Sequence, residues 1–312
     1  MPSTALLSDQ KKAALFALGA ATLLPIVDAM VKVLVQDHPV VMVAWVRMGL
    51  IALFLGLVAT ARSGPAVLLP RSPGLQILRG LCAVLGTAMI FVGFRVMPLA
   101  DCTAIVFIAP VLSNLLSIFW LNERGDRRSW VLAVLSFIGV LIIAKPGTSL
   151  FAPEAVWPLL GALGLAGFLT LTRAVSGRDC AQTTAFFGPF VAFIVFSLVL
   201  PFTWIAPTTP GDVGLFVAIG VLASIATTLQ TLAFRYGSTH QVAPFSYASV
   251  IVAILLGWGV FHTLPDGWSL LGMAVIVCCG LAMLRPATRS GRTNGGSAAV
   301  PLAVQLEPLR PR

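Results

Sequence analysis

Ten apolar stretches, each about as long as a helix needs to cross a bilayer, follow one another along this chain with only short links between them. A hydropathy window of about 19 residues places them near 13–35, 39–61, 76–98, 101–121, 130–145, 155–173, 183–204, 213–235, 242–261 and 267–284. A hydrocarbon core some 30 Å thick takes roughly 20 apolar residues per helix, so ten spans occupy most of the 312 residues. Lipid offers no hydrogen-bond partner to a backbone, so runs of this length cross it as helices. With 58% hydrophobic and 10% charged residues and a mean hydropathy of +0.97, the chain is too apolar for a soluble domain of its size. The expectation is an all-α membrane protein with ten transmembrane helices. The first run holds Pro25, Asp28 and Lys32 and no small-residue cleavage site, so it is expected to remain as a span and not to be removed as a signal peptide.

An excess of 20 Lys and Arg over 11 Asp and Glu gives a formal charge of +9. These cations lie between apolar runs and not on one soluble face, which argues against nucleic acid and for orienting charge. The N-terminus, the even-numbered links and the tail's start carry Lys11, Lys12, Arg62, Arg71, Arg79, Arg124, Arg127, Arg128, Arg173, Arg178, Arg235, Arg285, Arg289 and Arg292; the opposite links carry Arg95 and Lys145. By the positive-inside rule both termini are expected in the cytoplasm, in a bacterial-type inner membrane. The five cysteines lack metal-type spacing and read as packing residues. The segment from 287 to 312, rich in Gly, Ser, Pro and Arg, reads as a disordered cytoplasmic tail.

An ungapped offset of 140 aligns Ala100 to Pro146 with His240 to Pro286. Leu115, Leu116, Asp126, Ser129, Leu141 and Pro146 then meet Leu255, Leu256, Asp266, Ser269, Leu281 and Pro286. Both segments run from an apolar span through a polar hairpin with Asp to a second span and a basic residue before Pro. Two units follow, 13–146 and 155–286, each with five helices. An odd number forces the second to insert upside down, and inverted repeats are the usual construction of a carrier that alternates access around a midplane site.

The segment PLADCTAIVFIAPVLSNLLSIFWLNERGDRRSWVLAVLSFIGVLIIAKPG, Pro98 to Gly147, resembles the end of the first repeat of EamA-type transporters in the drug/metabolite transporter superfamily. APFSYASVIVAILLGWGVFHTLPDGWSLLGMAVIVCCGLAMLR, Ala243 to Arg285, resembles it again, and VDAMVK, Val27 to Lys32, with Pro39 and Arg47, is similar to the group's first two helices. The resemblance implies two inverted five-helix repeats and the movement of small metabolites such as amino acids, vitamins, nucleosides or drugs. Glu123 falls on the family's acidic residue after the fourth span. Where the second repeat often carries an acid, this chain has His262 and Thr263.

Charge inside a membrane costs about 2.5–3.5 kcal/mol on insertion scales and asks for a reason. Asp28 and Lys32 stand four apart on one face of the first span, and Arg47 is near mid-depth in the second. Three readings stay open at this point: Asp28 pairs with Lys32 or Arg47 to hold helices, with Lys32 free to snorkel outward; the surplus positive charge binds a substrate carboxylate, Arg47 donating in bidentate fashion; or Asp28 couples transport to protons. Pro110 and Pro244, inside the fourth and ninth spans, are expected to break the helix and bare carbonyls. Asn114, Gln230 and Tyr247 are mid-span hydrogen-bonding groups, and Trp258 offers a stacking face; each is a candidate for substrate contact or for interhelical bonding. Gly161, Gly164 and Gly167 allow close helix approach.

The rival class is an intramembrane lipid-modifying enzyme. The sequence contains no HExxH, no GxSxG and no Walker-type GxxxxGK[ST], no acidic pair suited to magnesium, and His38, His240 and His262 lack ligand spacing. A secondary transporter of small molecules is therefore expected, rocking one repeat against the other, with no cofactor or metal, no nucleic acid, lipid around it and a second copy of the chain as a candidate partner.

Overall fold

A computed structural model of the chain describes residues 3–120, 127–145, 152–176, 178–207, 209–237 and 239–284. Glu123 and the tail lie outside these. Twelve α-helices run in order: α1 Ser3–Asp37, α2 Val40–Ser63, α3 Pro73–Val96, α4 Leu99–Val106, α5 Ala109–Trp120, α6 Arg127–Ala144, α7 Val156–Val175, α8 Ala181–Val199, α9 Pro210–Tyr236, α10 Thr239–Ser246, α11 Ala248–Gly259 and α12 Gly267–Leu284. α4 with α5 and α10 with α11 each make one interrupted span. Among the described residues seven segments are long and apolar enough to cross a membrane, and Trp130–Ala144, Pro244–Gly259 and Gly267–Ala282 are shorter apolar helices. Together they are the ten spans, in two inverted sets of five. The end of the bundle with the start of α1 and the end of α12 is called here the terminal face, and the opposite end the distal face.

The packing has the two-fold relation that inversion demands. Exchanging the sets turns the α3–α7 pair into α9–α1, α5–α7 into α11–α1 and α2–α9 into α8–α3, while α2–α8 and α6–α12 map onto themselves. Nearly all of this extensive packing joins a helix of one set to a helix of the other. The sets are interleaved, so one sequence repeat cannot rock as a rigid body against the other, contrary to the sequence-based expectation. The packed groups are instead α3, α4/α5, α7 and α8 on one side and α9, α10/α11, α1 and α2 on the other.

Small residues permit the closest crossings. A methyl group at Gly164 would stand 2.5 Å from the backbone nitrogen of Gly86 on α3, and one at Gly161 would stand 3.0 Å from that of Ile90. On α12, a methyl at Gly272 would meet the carbonyl of Gly139 on α6 at 2.6 Å. In lipid, dispersion contact between backbones takes over the role that water-driven burial plays in soluble cores.

The chain links are pinned in two-fold-related places. On the terminal face Asp179, between α7 and α8, accepts from the backbone N–H groups of Arg71 and Ser72 at 2.6 and 3.3 Å and from Gln76 Nε2 at 2.8 Å. Arg79 is only 2% exposed. Its Nε donates to Gln76 Oε1 at 3.1 Å, its Nη2 to the Thr184 carbonyl, and its guanidinium lies 4.6 Å over the Phe168 ring. Arg79 is thus a buried structural cation and not the loop charge the sequence suggested. On the distal face His38, between α1 and α2, stands 3.6 Å from Asp212 at the start of α9. There too Lys145 Nζ donates to Asp266 Oδ2 at 2.5 Å, tying α6 to the start of α12.

Two outcomes follow. Gly164→Ala is expected to lower thermal stability in detergent by about 1–3 kcal/mol, because its methyl meets backbone that cannot rotate away; an unchanged melting temperature would refute the close α3–α7 crossing. Lys145 and the Ser269 backbone hold the Asp266 carboxyl down to about 2. With a folded value below the unfolded value near 4, the stability this pair adds is complete above about pH 4 and is lost as pH falls towards 2. Asp266→Asn should lower the melting temperature modestly at neutral pH, the pair being partly exposed, and the parent and variant curves should converge as pH falls from about 4 towards 2.

Candidate solute-binding site

Helical spacing puts Asp28, Lys32 and Gln36 on one stripe of α1, at i, i+4 and i+8. The acid and base of that stripe do not pair with each other. Asp28 Oδ1 accepts from Arg47 Nη1 of α2 at 3.0 Å, the two side chains being 22% and 13% exposed. The Arg47 guanidinium lies 5.4 Å from the centre of the Phe91 ring on α3, and its Nε is buried with no hydrogen-bond partner among the described residues. One of the five donors of this fork is therefore dry and unsatisfied, a costly condition unless something else is bound there.

Lys32 reaches the other way. Its ammonium donates to the carbonyls of Phe94 at 2.7 Å and Met97 at 2.6 Å and stands 5.5 Å over the Phe261 ring. Carbonyls at a helix C-terminus have no intrahelical donor and carry the negative end of the helix dipole, so a lysine there is well placed. Among the described residues no carboxylate pairs with it. Gln36 extends the same seam, donating to the Arg95 carbonyl at 3.3 Å. Lys32, Arg95, Phe261 and Thr263 line a cavity of ≈360 Å³ that opens at the distal face.

Both interrupted spans bend at matching places. α4 ends at Val106, four residues before Pro110, whose ring clashes with that carbonyl. The second break is at Tyr247, between α10 and α11, the position that the offset of 140 pairs with Phe107. There the proline, Pro244, lies before the break and inside α10. The rings of Phe107 and Tyr247 lie 5.0 Å apart at 35°, so the two breaks meet across the pseudo-two-fold axis. Pro110 and Pro244 themselves are exposed; their backbone consequence, not their rings, faces the interior.

Of the other candidates from sequence, Asn114 on α5 and Gln230 on α9 are half-buried. Trp258 is 59% exposed, on the same outward stripe of α11 as Ile251 and Leu255, and the structure does not bring it to the Arg47 cluster; its apolar stripe belongs to the outer surface of α11. Sequence reading missed a polar seam between α5 and α7. Ser113 and Thr170, both fully buried, have hydroxyls 3.1 Å apart, and Arg173 Nη1 donates to Ser117 Oγ at 3.2 Å. The four-residue spacing of Ser113 and Ser117 on one face was the available signal. The Phe94 and Met97 carbonyls that hold Lys32 left none, since every residue has a carbonyl.

Ten apolar helices in inverted sets, with charged side chains held at depth between them, are the architecture of a multi-pass membrane transporter of small molecules. The family model described as EamA-like transporter family matches residues 11–145 and again 153–285, and the chain belongs to that family; it is a secondary transporter and not an enzyme. Among curated relatives, the S-adenosylmethionine uptake transporter of Rickettsia bellii is 25% identical over 205 residues, covering 66% of this chain and 70% of its own. The pseudopaline exporter CntI of Pseudomonas aeruginosa is 28% identical over 285 residues, 88% of this chain and 96% of its own. The riboflavin transporter of Rhizobium johnstonii is 27% identical over 232 residues, 74% and 76% respectively. A crystal structure 20% identical matches with a TM-score of 0.59 over 89% of this chain and 97% of that one, which shows the fold.

Removing one member of a buried ion pair costs more than removing both. Asp28→Asn should therefore destabilise the protein more than Asp28→Asn combined with Arg47→Gln, with a coupling of about 1–3 kcal/mol. Melting curves of the four variants in detergent measure it, and strict additivity would show that the pair carries no mutual interaction.

Proposed function

We propose that the chain carries small organic solutes bearing a carboxylate or similar anionic group, bound between α1, α2 and α3 against Arg47, with the Phe107 and Tyr247 breaks as the pivot region. The observation that carries this reading is the arginine itself: a mostly buried guanidinium that spends one nitrogen on Asp28 and leaves Nε without a partner. Asp28 neutralises Arg47, and Lys32 adds a second cation that pairs with no acid among the described residues. An anion entering this region gains charge-assisted hydrogen bonds where the dielectric is low. That relatives are named for both uptake and export leaves direction to measurement. Their cargoes, S-adenosylmethionine, pseudopaline and riboflavin, set the size class proposed here.

The proposal extends to the arrangement in the cell. The five-helix units are taken as 13–146 and 155–286, with 287–312 as a cytoplasmic tail and both termini in the cytoplasm of a bacterial inner membrane. The basic residues of the terminal face support that orientation even with Arg79 removed from the count. Nucleic acid is not a partner in this reading, and a second copy of the chain is a candidate for one.

Reconstituted vesicles with a panel of carboxylate-bearing and neutral solutes test it. For any anionic solute that moves, Arg47→Gln is expected to raise the half-saturating concentration tenfold or more, while a neutral analogue is little affected. If Arg47→Gln transports every cargo found as the parent does, the anion-binding reading fails.

A further inference from the structure

The two-fold symmetry of the bundle is broken where α1 meets α3. At the distal face α1 packs on α3, whereas the symmetry-related helices, α7 and α9, form no comparable interface among the described residues. The distal α1–α3 contact is made by polar groups on α1. Lys32 donates to the carbonyls of Phe94 and Met97, and Gln36 to that of Arg95. α1 and α3 belong to opposite packed groups, so these bonds join the halves that must separate for access.

Directly outside the seam lies the ≈360 Å³ cavity, which has Lys32 in its lining together with Arg95 and no acidic residue. We propose that this cavity is an anion-accepting vestibule and that Lys32 is the latch of the distal face. In the structure the latch is closed: the ammonium is held by the neutral carbonyls of Phe94 and Met97. A carboxylate arriving in the vestibule is the better acceptor, because it sets a full negative charge against the ammonium where a carbonyl offers only a dipole, and the attraction of opposite charges grows as the dielectric falls. Lys32 exchanges Phe94 and Met97 for the carboxylate, the end of α3 is released from α1, and the anion is led towards Arg47. A neutral solute offers no such exchange. The latch therefore couples opening to the charge of the cargo, by differential affinity for the open state. The exchange rests on the anionic reading of function, whereas the latch itself does not.

The test is cross-linking in nanodiscs. Val33→Cys and Val96→Cys place thiols at exposed positions of α1 and α3, next in the chain to Lys32 and Met97, in a background with the exposed Cys180 and Cys278 changed to serine. A short bifunctional thiol reagent is then applied with millimolar succinate or its neutral diamide as probe. The expected result is a high cross-linking yield that succinate lowers several-fold and the diamide does not. Lys32→Met should give the low yield with or without succinate, and Lys32→Arg should behave as the parent. Monodisperse elution and an unchanged helical circular dichroism spectrum show that each variant is folded. A yield unchanged by Lys32→Met overturns the latch. A yield lowered by Lys32→Met but indifferent to succinate keeps the latch and overturns the anion exchange. Normal transport by Arg47→Gln alongside a succinate-sensitive yield would sink Arg47 as the anion's destination and leave the latch and its response to anions standing.

Discussion

Nothing in the hydrocarbon of a bilayer will accept or donate a hydrogen bond, and each feature of this structure answers to that constraint. Backbone groups are satisfied within helices, which is why ten apolar runs become helices. Side chains that carry charge to depth must then find partners on neighbouring helices, and they do so unevenly. Arg79 is surrounded by acceptors from α3, α7 and α8 and an aromatic face. Arg47 is left one donor short. The first is the arrangement of a structural staple, and the second is the open donor on which the proposed anion site rests.

Inversion of the second repeat accounts for the rest of the geometry. Because the copies are interleaved, the small-residue crossings and the pinned links occur in related pairs, and the two helix breaks meet at the axis through Phe107 and Tyr247. Relatedness is in position and not in chemistry. Asp179 anchors one link through three donors, while His38 meets Asp212 at 3.6 Å with neither nitrogen hydrogen-bonded among the described residues. Similarly, α1 is joined to α3 by Lys32 at the distal face, and among the described residues α7 has no comparable interface with α9. A symmetric scaffold with asymmetric polar contacts has unequal stability at its two ends, which is the condition for resting in one of two states of access.

Much of this was legible in the sequence, and the reasons are local. Span number follows from run length against bilayer thickness, and the repeat from the offset that pairs Asp126 with Asp266 and Pro146 with Pro286. That Asp28, Lys32 and Arg47 would be the polar focus followed from the cost of charge in lipid. The partners were not legible. Spacing alone favoured an Asp28–Lys32 pair at i and i+4, yet both groups turned to other helices, since a partner across an interface satisfies charge while holding that interface together. Arg79 looked like a loop cation because it sits near the edge of an apolar run, and only the positions of Thr184, Thr172 and Phe168 show it buried.

The sequence by itself determined the class of the protein, its helical spans, its inverted duplication and the residues whose charge demands an explanation, because these depend on hydrophobicity and periodicity along one chain. Tertiary structure alone decided which helices pack together, that Arg47 is left with an open donor and that Lys32 holds the end of α3. Those depend on which faces meet in three dimensions, and on backbone carbonyls whose availability is set by where a helix ends and which neighbour lies beside it.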